Sequence, residues 1–382
     1  MKLKGMSKAT FLIILLGMVS LFADFTYEGG RSIIPQFFTS VLGGSVFMLG
    51  AAIGVGEFLG YSFRLVSGKL ADRTRSYWPM VFIGYVVNLA ALPLLAFSGN
   101  YLTAIVLIFA ERLGKATRSP PKDYLVSTIA DKGKVGRAFA INAALDQTGA
   151  VVGPLAVALI LLFRSSYRLA FMFLALPAAI AVIFLFIAYR YFKAFKTVGR
   201  RENRAGSMTF GRFLVYSAAV AISAAGLYQV YFILYGAQGV ISTYLIPIIF
   251  LVAMAGEGFF GFVFGMLYDR VGRKLVYAGL LTTLVVPFVL LGRNPVFLFL
   301  GALAFGAVVG IQDTVMRSVV GSMIGKAKRG FAYGIFNTMY GMGLMAAGIV
   351  IGYIYHSMDM VIAYVVIAQI VASVALYLSF RE

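Results

Sequence analysis

The sequence predicts an all-α membrane protein: twelve transmembrane helices in two pseudo-symmetric six-helix bundles. Three observations carry that expectation. Of 382 residues, 61% are hydrophobic and only 12% charged, whereas soluble domains are roughly 45–50% apolar and about 25% charged. That apolar content suffices for about twelve spans of about 20 residues each, which use the whole length and leave no room for a soluble catalytic domain. Finally, one short charged motif recurs at a matching place in each half of the chain.

Apolar runs broken by glycine, proline, asparagine or charge place the helices near 10–36, 44–67, 78–97, 101–121, 138–162, 168–190, 211–236, 242–265, 275–292, 296–322, 331–355 and 359–379. The first run follows several lysines, as in a secretory signal. It is followed by acidic and further apolar residues without a small-residue cleavage site, so it reads as the first span. The longest break is polar and basic. It divides the chain into an N-terminal bundle (1–192), a cytoplasmic linker (193–210) and a C-terminal bundle (211–382).

The net charge of +19 would suggest nucleic acid in a soluble chain. Here 24 of the 33 lysines and arginines fall in segments facing one side of the membrane, and the opposite loops hold three, Arg164, Arg168 and Arg293. Basic residues beside spans are retained in the cytoplasm. The charge therefore reports topology: nucleic acid is excluded as a partner, and both termini are expected in the cytoplasm of a plasma-membrane protein. Zero cysteines exclude disulfides and thiolate chemistry, and the single histidine, His356, lies near a span end.

The recurring motif is Gly68-Lys69-Leu70-Ala71-Asp72-Arg73, matched 197 residues later by Gly265-Met266-Leu267-Tyr268-Asp269-Arg270. A weaker echo aligns Arg137 to Ala140 with Arg329 to Ala332. Two parallel six-helix halves are a known transporter architecture. On these residues the chain resembles the major facilitator superfamily over its whole length. The resemblance implies that Asp72 and Arg73, with Asp269 and Arg270, form a cytoplasmic latch in the outward-facing state. It also implies that spans one, four, seven and ten line a cavity between the halves, while three, six, nine and twelve face lipid. Thr74 stands where glycine is usual, which implies a looser first turn. Gly149, Gly153 and Pro154 resemble an element of the family's antiporters, expected to pack against a helix of the other half.

Hydrocarbon tolerates an ionisable residue only beside a cavity or a partner, so buried charges map the interior. Asp24, Glu28 and Arg31 share one helical face, with Tyr27 beside them; Glu57, Tyr61 and Arg64 repeat the spacing. Glu111, Arg112, Lys115 and Arg118 precede Pro120-Pro121, which should bend or end the fourth span. Asp146, Glu257 and the pair Asp313 and Arg317 complete the set, while spans three, six, nine and twelve lack central charges. Depth suggests that Lys115 or Arg118 meets Asp146. With Asp123 there are eight acids against six bases. A carboxyl left without a cation in such a medium favours its neutral form and is suited to carry a proton. Asp24, Glu28 and Asp146 lead that ranking, then Glu111 and Glu257; the alternative for each is a permanent ion bridge. Tyr228, Tyr231, Tyr235 and Gln238 form a polar-aromatic stripe that either lines a cavity or packs, and Asn337 and Tyr340 are placed with it.

Together these readings imply a monomeric secondary transporter that moves a small organic or amphipathic solute by alternating access. Proton antiport, giving export, is favoured; proton-coupled uptake of an organic anion, supported by the fourth-span cations, and flipping of a lipid-like substrate are the alternatives. No nucleotide-binding loop, nucleophile constellation or metal-ligand cluster is legible. The expectation is therefore no enzyme, no metal and no cofactor, with protons, solute and the lipid bilayer as partners.

Overall fold

A computed structural model describes residues 8–130, 135–193, 210–292, 294–324 and 329–381, and among them there is no β-strand. Twelve helical spans follow one another. They are α1 (Lys8–Arg31), α2 (Val46–Thr74), α3 (Tyr77–Leu94), α4 (Tyr101–Ile129), α5 (Val135–Arg164) and α6 (Tyr167–Phe173 with Ala175–Lys193), then α7 (Phe210–Ala225 with Val230–Gly236), α8 (Ile246–Val271), α9 (Val276–Leu290), α10 (Pro295–Ile311 continued by Arg317–Met323), α11 (Arg329–Ile354) and α12 (Met358–Phe380). Among the described residues, ten stretches are long and apolar enough to cross a membrane. One of them, Thr243–Leu290, contains both α8 and α9; α4 is not among the ten, and its central charges account for that. Of the linker expected over 193–210, all but the two end residues lie outside the described residues.

Three helices run further than their sequence suggests. The Gly68 and Gly265 motifs occupy the last turns of α2 and α8 instead of following them. More consequentially, Pro120-Pro121 neither ends nor divides α4, which continues to Ile129. Pro120 has no N–H for the carbonyl of Ala116, four residues back. The Ser67 hydroxyl of α2 donates to that oxygen instead, at 2.8 Å, so the freed group keeps a partner.

The two motif turns also differ from expectation. Arg75 takes the left-handed conformation (φ 53°), and Gly272 has φ 70° with ψ −154°. Gly272 follows Arg75 by 197 residues, the offset of the motif itself. The residue standing in the glycine's place is therefore Arg75, not Thr74.

The chain divides into two compact units. The first comprises Met1–Arg31, Phe63–Ser98 and Val106–Glu202. Its apolar core joins Leu12, Leu16 and Val19 of α1 to Val81 and Leu89 of α3, Val126 of α4 and Leu185 of α6. α5 lies directly on α1: a Cβ at Gly149 would stand 2.2 Å from the Leu21 carbonyl oxygen, and one at Gly153 2.3 Å from that of Phe25. The partner of this glycine pair is thus α1 of its own half, not a helix of the other.

The second unit comprises Ser32–Ser62, Gly99–Ile105 and Asn203–Glu382. In it α7 is unwound at 226–229. Gln229 Nε2 donates to the Leu344 carbonyl at 2.9 Å, and Gln369 both accepts from the Ser223 hydroxyl (2.7 Å) and donates to the Ser223 carbonyl (2.9 Å). Irregular backbone at membrane depth persists where protein supplies such bonds. Exposed apolar side chains lie on α3 (Ile83, Val86), α6 (Ile183, Phe186), α9 (Leu281, Val285) and α12 (Ile370, Val374), and equally on α4 (Leu102, Val106), α5 (Leu155, Leu159) and α8 (Phe259, Phe262), so exposure alone does not single out the four spans expected to face lipid.

Candidate functional site

The charges of the first unit converge on Tyr27, which is 1% exposed. Its hydroxyl accepts from Arg31 Nη1 and, at 3.3 Å, from Arg112 Nη1. Lys115 Nζ stands 3.6 Å from the centre of its ring, with the guanidinium carbons of Arg31 and Arg112 at 4.8 and 5.9 Å. One turn further along α4, Arg118 lies 4.2 Å over the ring of Tyr85 and 3.8 Å from Asp24 Oδ1. Lys122 follows, 3.8 Å from Asp146 Oδ1 and hydrogen-bonded to the Ser20 hydroxyl. α1, α4 and α5 therefore present a ladder of cations and carboxylates, because Asp24 and Glu28, and likewise Arg118 and Lys122, are four apart on their helices.

These pairs are of two kinds. Glu111 is 2% exposed, 3.3 Å from Arg112 Nε, and accepts from Asn88 Nδ2 at 2.9 Å; the same amide also donates to its backbone carbonyl. That carboxylate is locked. Asp24 and Asp146 keep side-chain exposures of 18% and 37%, and each stands 3.8 Å from its cation, beyond hydrogen-bonding distance. Glu28 is intermediate, 3.5 Å from Arg31 Nη1. The partner of Asp146 is Lys122, where Lys115 or Arg118 was expected. Arg64 is half-buried and within the electrostatic reach of Asp123.

The second unit holds a smaller cluster. Arg317 Nη2 is 3.1 Å from Asp313 Oδ1. The Tyr340 hydroxyl donates to Gln312 Oε1, and Tyr61 meets Tyr340 edge to face at 5.1 Å. Glu257 and Glu57 are half-buried, and both act electrostatically on members of this group. A π-helical turn, Gln312–Met316, carries Asp313 and Gln312, a distortion frequent at functional sites. Asn337 is half-buried nearby in sequence, one turn before Tyr340.

The tyrosine stripe of α7 does not form one face, because the helix is interrupted at its start. Tyr228 and Tyr231 are buried. Tyr228 and Tyr235 gather around Tyr355 (6.5 and 5.1 Å), and Tyr228 lines a cavity of about 290 Å³ with Phe232, Tyr355 and the exposed His356. Gln238 Nε2 donates to the Thr39 hydroxyl at 3.0 Å, and its Oε1 accepts from Ser40 at 2.8 Å. At the motif turns, Asp72, Arg73, Asp269 and Arg270 are exposed, and Asp72 accepts from the Tyr77 hydroxyl at 3.1 Å. Sequence reasoning missed Ser20, Tyr85 and Asn88. Lys122 was legible as one of the distinctive fourth-span cations with Lys115 and Arg118, but its partner was not; its spacing of four from Arg118 is the signal that places it on the same ladder.

The Major Facilitator Superfamily matches residues 13–248 and 239–382, and the chain belongs to that family. An uncharacterised protein of Mycobacterium tuberculosis is 33% identical over 377 residues, spanning 96% of this chain and 92% of that one. An uncharacterised MFS-type transporter of Methanocaldococcus jannaschii is 27% identical over 364 residues, 90% and 88% of the two chains. Among solved structures, the nucleoside transporter NupG shares the fold with a TM-score of 0.79 at 14% identity (97% and 100% covered). The peptide transporter POT in complex with sulfate does so at 0.81 and 16% (99% and 95% covered). The protein is thus an integral membrane transporter of twelve helices and not an enzyme.

Proposed function

We propose that this transporter moves a small organic solute by alternating access, coupled to protons carried on Asp24 and Asp146. One observation carries the reading: these two carboxylates sit 3.8 Å from their cations and remain partly exposed, whereas Glu111 is sealed into its pair. A loosely held carboxylate reached by water exchanges protons as its surroundings change; a locked one does not. Nucleoside and peptide transporters of the same fold support a small organic cargo. The glycine element that favoured export packs on α1, so it carries no weight for antiport. The bias of basic residues supports a plasma-membrane protein with both termini in the cytoplasm. A monomer suffices for this mechanism, with Asp72, Arg73, Asp269 and Arg270 as the cytoplasmic latch.

The test uses proteoliposomes containing a pH-sensitive dye, challenged with a panel of small organic solutes. A substrate should change lumenal pH, acidifying it for symport and alkalinising it for antiport, and Asp24→Asn with Asp146→Asn should abolish the change. Solute uptake without proton movement, or proton movement untouched by both substitutions, overturns the proposal.

A further inference from the structure

We infer that Lys115, together with Arg31 and the Tyr27 hydroxyl, is a seat for an anionic group of the transported solute, a carboxylate or a phosphate, and that this anion binds cooperatively with the proton. The inference rests on the proton-coupled reading above and names the cargo of the same site.

Three cations surround the Tyr27 ring, and two of them have carboxylates: Glu28 for Arg31 and Glu111 for Arg112. Lys115 differs. Among the described residues no carboxylate oxygen lies within ion-pair distance of its ammonium, which rests on the ring face. A cation drawn out of water needs a counter-charge, and an aromatic face is a partial substitute. The Tyr27 hydroxyl accepts from two guanidiniums, which leaves its own proton to donate. An incoming anion would therefore meet an ammonium, a guanidinium and a hydroxyl donor, the set that holds carboxylate and phosphate groups.

The charge count fits. Arg31, Arg112, Lys115, Arg118 and Lys122 face Asp24, Glu28, Glu111 and Asp146, five cations against four carboxylates. Asp24 shares its surroundings with Lys115 and Arg118 of α4, Asp146 of α5 and Glu28 of α1. Ionised, Asp24 competes with a solute anion for the field of Lys115 and Arg118; protonated, it releases that field. Proton and anion thereby favour each other, which is the linkage a symporter requires.

Purified full-length protein in detergent tests this by calorimetric titration with benzoate, phenyl phosphate and the neutral isostere benzamide. At least one anion should bind and benzamide should not; whichever anion binds more tightly identifies the headgroup. Benzoate should bind severalfold more tightly at about pH 6 than at about pH 8. Lys115→Gln should weaken anion binding about tenfold or more, Lys115→Arg should retain it, and Asp24→Asn should bind with a smaller pH dependence than the parent. The melting temperature and gel-filtration elution of each variant without probe certify its fold. Benzamide binding as well as benzoate, neither anion binding, an unaltered Lys115→Gln, or binding that weakens as pH falls overturns the inference. Should any of these occur while solutes still drive protons in proteoliposomes, the anion seat is wrong and proton coupling stands.

Discussion

Glu111 offers the sharpest contrast between a structural and a working charge. Its carboxylate, 2% exposed, holds Arg112 at 3.3 Å and accepts from Asn88 at 2.9 Å. Glu111→Gln keeps the volume and removes the charge, leaving a guanidinium that is 5% exposed facing a neutral amide. Breaking one side of such a buried pair costs about 3–5 kcal/mol; the retained amide and the Tyr27 hydroxyl bond of Arg112 place the loss near about 3 kcal/mol. Asp24→Asn, at a 3.8 Å bridge in which Asp24 is 18% and Arg118 5% exposed, should cost less, about 1–2 kcal/mol, because Arg118 keeps the face of the Tyr85 ring. Unfolding of the purified protein by SDS titration measures both. The double variant Glu111→Gln with Arg112→Leu should recover part of the loss, since the guanidinium that lost its carboxylate is gone. A single Glu111→Gln within about 1 kcal/mol of the parent, or one that abolishes proton coupling while stability is kept, refutes the assignment of this carboxylate as a lock.

Three further outcomes follow from packing. Gly149→Val should prevent α5 from seating on α1, because even a Cβ would stand 2.2 Å from the Leu21 carbonyl oxygen; the check is loss of monodisperse protein on gel filtration. Ser67→Ala removes the donor to the Ala116 carbonyl and should lower stability by about 1–3 kcal/mol in the same SDS titration. Gly272→Ala forces a side chain into a backbone region nearly reserved for glycine (φ 70°, ψ −154°) and should cost about 1–3 kcal/mol, whereas Arg75→Ala, at an ordinary left-handed turn, should change stability far less.

The helices were legible because hydrophobicity in a bilayer is written locally, one span at a time. Even α4, too charged to pass on composition, was readable as a span because its apolar first half continues into spaced charges. What was not legible depends on neighbours remote in the chain. Pro120-Pro121 looks like a terminator until Ser67, 49 positions earlier than Ala116, supplies the missing hydrogen bond; with the helix cut there, Lys122 stood out as a fourth-span cation but its partnership with Asp146 in particular could not be drawn. Gly149 and Gly153 announce a close approach but not by which helix. The α7 stripe assumed an unbroken helix, and the glutamines that stabilise its interruption come from within α7 and from α12. Asp24, Glu28, Lys115 and Arg118 each stood out because hydrocarbon makes any charge conspicuous, but their meeting across α1 and α4 did not. Their division into tight and loose pairs depends on side-chain distances that spacing alone does not fix.

The most direct measurement uses the absence of cysteine from the chain. Single substitutions Lys115→Cys and Asp146→Cys, and at lipid-facing positions Ile183→Cys and Ile370→Cys, are exposed in membranes to a charged thiol reagent that reacts only with thiols in contact with water. The account predicts modification at 115 and 146 and none at 183 and 370. Reaction at the two apolar positions with silence at the two charged ones would contradict it.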